Sequence, residues 1–409
     1  GLVHFKREEY ADSYRLFEKA AAIDKNYYDA CLNMVSALFN TGSYTKCVNA
    51  ADEFLKRFPN DRALLLIKAT SLSKQSKTEQ AIEVYKQILN IDPANDFVAM
   101  TYIAIEYEKL QEFDKAQEYA DRAKSVYPNY SLLVYLLEKL EYERFTLSGQ
   151  KIVNFIKDYY LFYNETEEVL KAISEFLEKG EAYTVGDIVK LVDAVKSPDD
   201  DMTVLLTGSD YNSFMNRKAD SSVTVKQQDD NTVYIKISDF SPGTGVLFNE
   251  YIQSIENPGD KVLIIDLRDN KSGLTSEAGI MLDALLPECY TSYYIERGGY
   301  ITTNQSGKSC VKFSKTAILV NENSASASEL LALGLKTHLD NVVIIGRQTM
   351  GEGVGQIIYN DLNRKYALFL VNHYWNVLEK NIHGTGIKVD IMVENDADFT
   401  KAVNEFIKQ

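Results

Sequence analysis

Asn321-Glu-Asn-Ser-Ala-Ser-Ala-Ser-Glu329 follows the apolar run Thr316-Ala-Ile-Leu-Val320 and leads into residues 327 to 338, whose apolar side chains return at helical spacing. The pattern reads as strand, turn and helix, with Ser326 on the turn. A hydroxyl there lies at a helix N-terminus, beside unpaired backbone N–H groups and the positive end of the helix dipole. This is the equipment that holds an oxyanion during acyl transfer, so Ser326 is a candidate nucleophile. The same residues also fit a plainer role. Ser326 with Glu329 three positions on matches a capping box, and the Ser-Ala alternation lets a helix pack closely on a sheet.

Outward from this stretch, strands and helices alternate: 232–237 then 246–255, 261–267 then 276–286, 317–320 then the Ser326 helix, and 342–345. Continuously apolar strands such as Val262-Leu-Ile-Ile265 imply burial on both faces, as in a largely parallel sheet with right-handed crossovers. Residues 290–295 and 300–303, around Gly298-Gly299, read as an inserted hairpin. Ligands in such sheets bind beyond the carboxyl ends of the strands. Residues 266–270, 324–328 and 351–356 all fall at such ends.

The first third keeps another rhythm. Lys25, Pro59, Pro93 and Pro128 recur every 34 or 35 residues, and Ser13, Cys47, Ala81 and Ala116 keep the same register, with Tyr10, Tyr44 and Phe113 each three residues before a small one. Such spacing describes helix hairpins in which a small residue permits close crossing and a proline ends the second helix. Residues 1–145 resemble the tetratricopeptide repeat family, which implies a right-handed superhelix whose concave face binds a protein or peptide partner. Residues 146–199 are predicted to continue as helices, at 151–163, 167–179 and 185–195, connecting the array to the α/β part. Ser197-Pro-Asp-Asp-Asp201 then breaks the pattern.

Composition narrows the function. The 409 residues carry 44 Lys and Arg against 59 Asp and Glu, a net charge of −15. With no basic stripe, the chain is not a nucleic-acid binder. No apolar run reaches about 18 residues, so no membrane span is expected. The chain opens abruptly inside a helical pattern, without a charged-then-apolar leader. That start suggests a trimmed leader or anchor and an extracytoplasmic or membrane-anchored location. The four cysteines fall into two local pairs, Cys31 with Cys47 and Cys289 with Cys310, which permits disulfides without requiring them. Buried free thiols fit equally well. No Cys/His spacing suggests a metal site.

Four stretches occur in order: Asp266-Leu-Arg-Asp-Asn-Lys-Ser-Gly273, Val320 to Glu329, Ile345-Gly-Arg-Gln-Thr-Met-Gly-Glu-Gly-Val-Gly-Gln356 and His383-Gly-Thr-Gly-Ile-Lys-Val-Asp390. Together they resemble the signatures of C-terminal processing (tail-specific) serine peptidases over residues 200–409. The resemblance implies a ClpP/crotonase-like α/β domain acting on polypeptides without a cofactor or metal. Its nucleophile would be Ser326, with a glutamine four residues after the base at Gln356. The oxyanion hole would use the N–H of Ala327 and that of Ser272 or Gly273.

Two departures matter. Where the family carries a lysine base in a Gly-Lys-Gly loop, this chain has Glu352. A solvated carboxylate, with a reference pKa of about 4.3, is a feeble base toward a hydroxyl, and losing general-base assistance costs about 10²- to 10⁴-fold in rate. His373 or His383 is a possible alternative base, with Glu352 orienting the imidazole, whereas Asp200-Asp-Met-Thr203 offers nothing at Met202. The peptide-binding PDZ module usual in the family is also absent, leaving substrate recruitment to the repeats or to residues 210–215. Two functions are expected of such a chain. One is a serine endopeptidase-like protein acting through Ser326, and the other is a catalytically inactive, peptide-binding pseudopeptidase.

Overall fold

The computed structural model describes residues 1–7, 9–216, 222–229, 231–271, 273–307 and 310–408. They form two compact units, Gly1–Thr146 with Phe248–Ser254, and Leu147–Leu247 with Ile255–Gln409.

In the first unit, helices follow one another at Tyr10–Ile23, Tyr28–Asn40, Tyr44–Leu55, Arg62–Lys74, Thr78–Ile91, Phe97–Lys109, Phe113–Val126 and Ser131–Phe145. The small residues that mark the repeat, Ser13, Cys47, Ala81 and Ala116, are all fully buried, as close helix crossings require. Equivalent positions of successive repeats also bond to one another. Asp61 and Asp96 cap their helices by accepting the N–H of Leu64 and Ala99, and Arg62 reaches across one repeat to Asp96. Each repeat thus completes its polar contacts, like its apolar core, on its neighbour. Cys31 and Cys47 are buried free thiols, and Cys289 and Cys310 are free as well.

The second unit holds two sheets. The first runs through β1 (Val204–Thr207), β5 (Tyr290–Glu296), β6 (Ile301–Gln305), β9 (Val354–Asp361) and β10 (Tyr366–Asn376). The second contains β2 (Val223–Asp229), β3 (Thr232–Ile237), β4 (Val262–Asp266), β7 (Lys315–Val320), β8 (Val342–Gly346) and β11 (Ile391–Met392). In the second sheet the order is β11-β8-β7-β4-β3-β2, and every pairing is parallel except that of β2 with β3. Helix Phe399–Lys408 closes one face with Phe399, Val403 and Phe406 on Ile264, Leu319 and Ile345. Helices Thr275–Leu285 and Ala327–His338 pack together through Gly334, where a Cβ would lie 2.7 Å from Leu282 Cδ2.

The first sheet is antiparallel, in the order β1-β10-β5-β6 with β9 paired to β10. The predicted hairpin of 290–303 therefore belongs to this separate sheet, beside the long β9–β10 hairpin. Helices Ser148–Tyr159, Glu167–Leu177 and Val185–Val195 share one core with it: Ile152, Ile156, Ile173 and Leu191 meet Leu368, Leu370 and Val371. Among the described residues no helix is long and apolar enough to cross a membrane.

Candidate active site

The parallel strands β4 and β7 lie side by side and end together, so the loops that follow them interlock. Ser324 Oγ donates to Leu267 O at 2.9 Å, Ala325 N–H to Asn270 O at 3.0 Å and Ser328 Oγ to the same carbonyl at 3.1 Å. Ser326, at the end of this braced turn, has φ +54 and ψ −114. A non-glycine residue in that region is strained and is held there by its surroundings. Helix Ala327–His338 begins at the next residue.

Ser326 lines a cavity of about 800 Å³ within the second unit, together with Gly273, Glu352, Gln356 and His373. The N–H groups of Ala327 and Gly273 donate to none of the described residues. Gly273 must be glycine, because its φ is +143 and a Cβ would lie 2.4 Å from that of Phe240. Ser272, the other residue expected in the oxyanion hole, lies outside the described residues.

Glu329 forms the capping box anticipated from the sequence, and it does more. Its Oε2 accepts the N–H of Ser326 at 3.0 Å and of Glu352 at 2.8 Å, while Oε1 accepts the N–H of Gly351 at 2.8 Å and the hydroxyl of Thr349. One fully buried carboxylate therefore ties the serine turn to the glycine loop. Burial pushes its pKa up, against the pull of those four donors. The three-residue spacing identifies Glu329 as a cap. Its hold on residues 349–352 is tertiary and leaves no local signature.

Glu352 corrects the expectation of a solvated carboxylate. It is 7% exposed and its carboxyl has no hydrogen-bond partner among the described residues. Burial, then the charges of Glu329 and Asp201, raise its pKa to about 8. A carboxylate with that proton affinity is a far better base than one in water.

Gln356 donates from Nε2 to Met202 O. Met202, whose side chain offers no base, thus contributes its carbonyl and also lines the cavity. His373 accompanies Glu352 in the cavity but not in the expected pairing. Its Nδ1 lies 2.7 Å from Asn372 Oδ1, its ring stacks on Tyr294 at 4.2 Å, and its Nε2 is buried without a partner. Burial lowers its pKa to about 4, so the ring is neutral. Gly355 lets the strand run against that ring, since a Cβ there would lie 2.1 Å from Nε2. His383 is exposed, edge-on to Tyr374 and off the cavity lining. Its neighbours instead brace the glycine loop, with Gly384 N–H donating to Gly351 O and Ile387 N–H to Thr349 Oγ1. Among the described residues no cluster of His, Cys, Asp and Glu is arranged to hold a metal ion.

Residues 231–393 match the model of peptidase family S41, and residues 63–95 that of the tetratricopeptide repeat. A probable CtpA-like serine protease of Staphylococcus haemolyticus is 29% identical over 175 residues, 42% of this chain and 35% of that protein. The carboxyl-terminal-processing protease of Synechocystis sp. is 30% identical over 162 residues, 39% of this chain and 38% of that protein. The chain thus spans little more than a third of the length of these relatives. Among solved structures, a lipoprotein from Streptococcus agalactiae shares the fold with a TM-score of 0.50 at 17% identity, over 63% of this chain and 94% of that one. The chain thus carries a peptidase family S41 domain at residues 231–393, preceded by a tetratricopeptide repeat at residues 63–95.

Proposed function

We propose that the chain is a serine endopeptidase that cleaves polypeptides through an acyl-enzyme on Ser326, with the repeats recruiting the substrate or a partner protein. The observation that carries this reading is that one cavity is lined both by Ser326, on a strained turn, and by Glu352, a buried carboxyl with no hydrogen-bond partner among the described residues. With them are the amides of Ala327 and Gly273, which donate to none of the described residues.

Ionised Glu352 takes the Ser326 proton as Oγ attacks the scissile carbonyl carbon. The N–H groups of Ala327 and Gly273 receive the oxyanion, and the amine leaves with the proton returned by Glu352. Water, deprotonated by the same carboxylate, then hydrolyses the ester. Gln356 anchors the start of β9 to the Met202 carbonyl and so keeps the glycine loop in place. Burial lowers the proton affinity of His373 and its Nδ1 is turned toward Asn372, so it serves as a wall and polar neighbour of the cavity rather than as the base.

A fluorophosphonate probe tests the reading directly. Labelling of the chain that disappears in Ser326→Ala supports it. No labelling at any pH from 5 to 10 overturns it and leaves a peptide-binding domain.

A further inference from the structure

The cavity has a sign. Asp201, Glu296, Glu322 and Glu352 all line it, Glu322 being already paired with Arg347, and the single cationic side chain among the described lining residues is Lys271, which is exposed. His373, neutral by burial, adds no charge. Of the four acids, Glu352 is more than nine-tenths buried and faces the cavity with no partner among the described residues. A carboxyl in that setting must keep its proton or find a cation, because an unpaired buried charge is costly. No described residue supplies the cation. The opposite requirement is also met. Val204, Leu206, Phe214 and Phe369 form an apolar wall, with the two phenylalanine rings edge to face at 5.1 Å. Such a surface suits an aliphatic stem that ends in a charge.

We propose that this cavity recognises a basic side chain of the polypeptide, that of a lysine, with its methylenes on the apolar wall and its ammonium on Glu352. The inference rests on the cavity being the polypeptide cleft described under Proposed function, and it names the residue the cleft selects. A bound ammonium favours the ionised form of Glu352, the form that can accept the Ser326 proton. A basic substrate would therefore bring the charge that readies the site for its own cleavage.

The test compares ligands that differ only in the ammonium. Diphenyl phosphonates of lysine and of norleucine are reacted with the full chain, with a plain fluorophosphonate as a control for the reactivity of Ser326. A charge-assisted contact of ordinary strength predicts at least tenfold faster labelling by the lysine compound. In Glu352→Gln that ratio should fall to about one, whatever the absolute rates. Equal labelling in the wild type, or a ratio that survives in Glu352→Gln, overturns the inference while leaving the peptidase reading intact.

Should the plain probe fail, binding decides independently of chemistry. Calorimetry on Ser326→Ala at pH 7 with acetyl-Ala-Ala-Lys-Ala-Ala-amide and its norleucine twin should again show at least a tenfold preference for lysine. Equal affinities, or no lysine-peptide binding at millimolar concentration, overturn it.

Discussion

Glu329 and Glu352 are buried carboxyls on either side of one hydrogen bond, the Glu352 N–H donating to Glu329 Oε2, yet their surroundings are opposites. Glu329 is enclosed at the start of helix Ala327–His338 with four donors on its two oxygens. Glu352 sits on a glycine loop with none, facing a cavity. Burial raises both pKa values. The difference shows what partners do: the satisfied carboxylate acts as a structural clasp, while the unsatisfied one is available to take a proton or a cation. A site that needs one rigid and one reactive group can obtain both from the same residue type, by the donors it places around each.

The largest effect should come from dissolving the clasp. Glu329→Ala removes the acceptor of three N–H groups and one hydroxyl at once. With each stranded buried group costing about 1–3 kcal/mol, the variant is expected to lose more than about 4 kcal/mol in urea denaturation, and its activity with it. A loss below about 1 kcal/mol would mean that water replaces the carboxylate, and the contrast between the two glutamates would collapse.

Replacing Glu352 should leave the fold intact and act chiefly on the kinetics. Glu352→Gln is expected to lower kcat/KM on an uncharged peptide by about 10²- to 10⁴-fold. The active form is the ionised one, so in the wild type kcat/KM should climb roughly tenfold per pH step below about 8 and level off above it. A profile flat from pH 6 to 9 would remove Glu352 from the base position.

The sequence made some of this plain and hid the rest. Helix Ala327–His338 and the strands of the parallel sheet were legible because continuous apolar runs and caps are local signals, and the repeat was legible because Ser13, Cys47, Ala81 and Ala116 must stay small at every helix crossing. Of the antiparallel sheet only the hairpin of β5 and β6 was. β9 and β10, which flank the cavity with Gln356 and His373, mix polar and apolar residues because both of their faces are used, one by the helices between 148 and 195. The state of Glu352 was also out of reach, since a reference pKa assumes full solvation and only the fold shows that the carboxyl is buried with Glu329 and Asp201 nearby. His373 and His383 were indistinguishable as letters. Burial beside Gly355 and Tyr294 separates one from the other.

The smallest expected effect separates the two carboxyl environments without catalysis. The folded chain holds the Glu352 proton more tightly than the unfolded chain does, with a pKa of about 8 against an ordinary 4.5. Unfolding therefore releases a proton at any pH between those values, and stability must fall as pH rises through that window and then flatten. The drop is at most about 5 kcal/mol for a rigid site, and about 2–3 kcal/mol where cavity water screens the charge. Glu352→Gln has no such proton, so its stability advantage over the wild type should be near zero at pH 5 and grow toward pH 8. His373 acts on the other side. Its pKa is lowered to about 4 from 6.5, so the folded chain resists that proton and both proteins should lose stability together as pH falls from 6.5 toward 4. Chemical denaturation at pH 5, 6.5 and 8.5 would read both limbs. An advantage of Glu352→Gln that stays constant across that range would show that the carboxyl is solvated after all, and Glu352 would then differ from Glu329 in exposure rather than in partners.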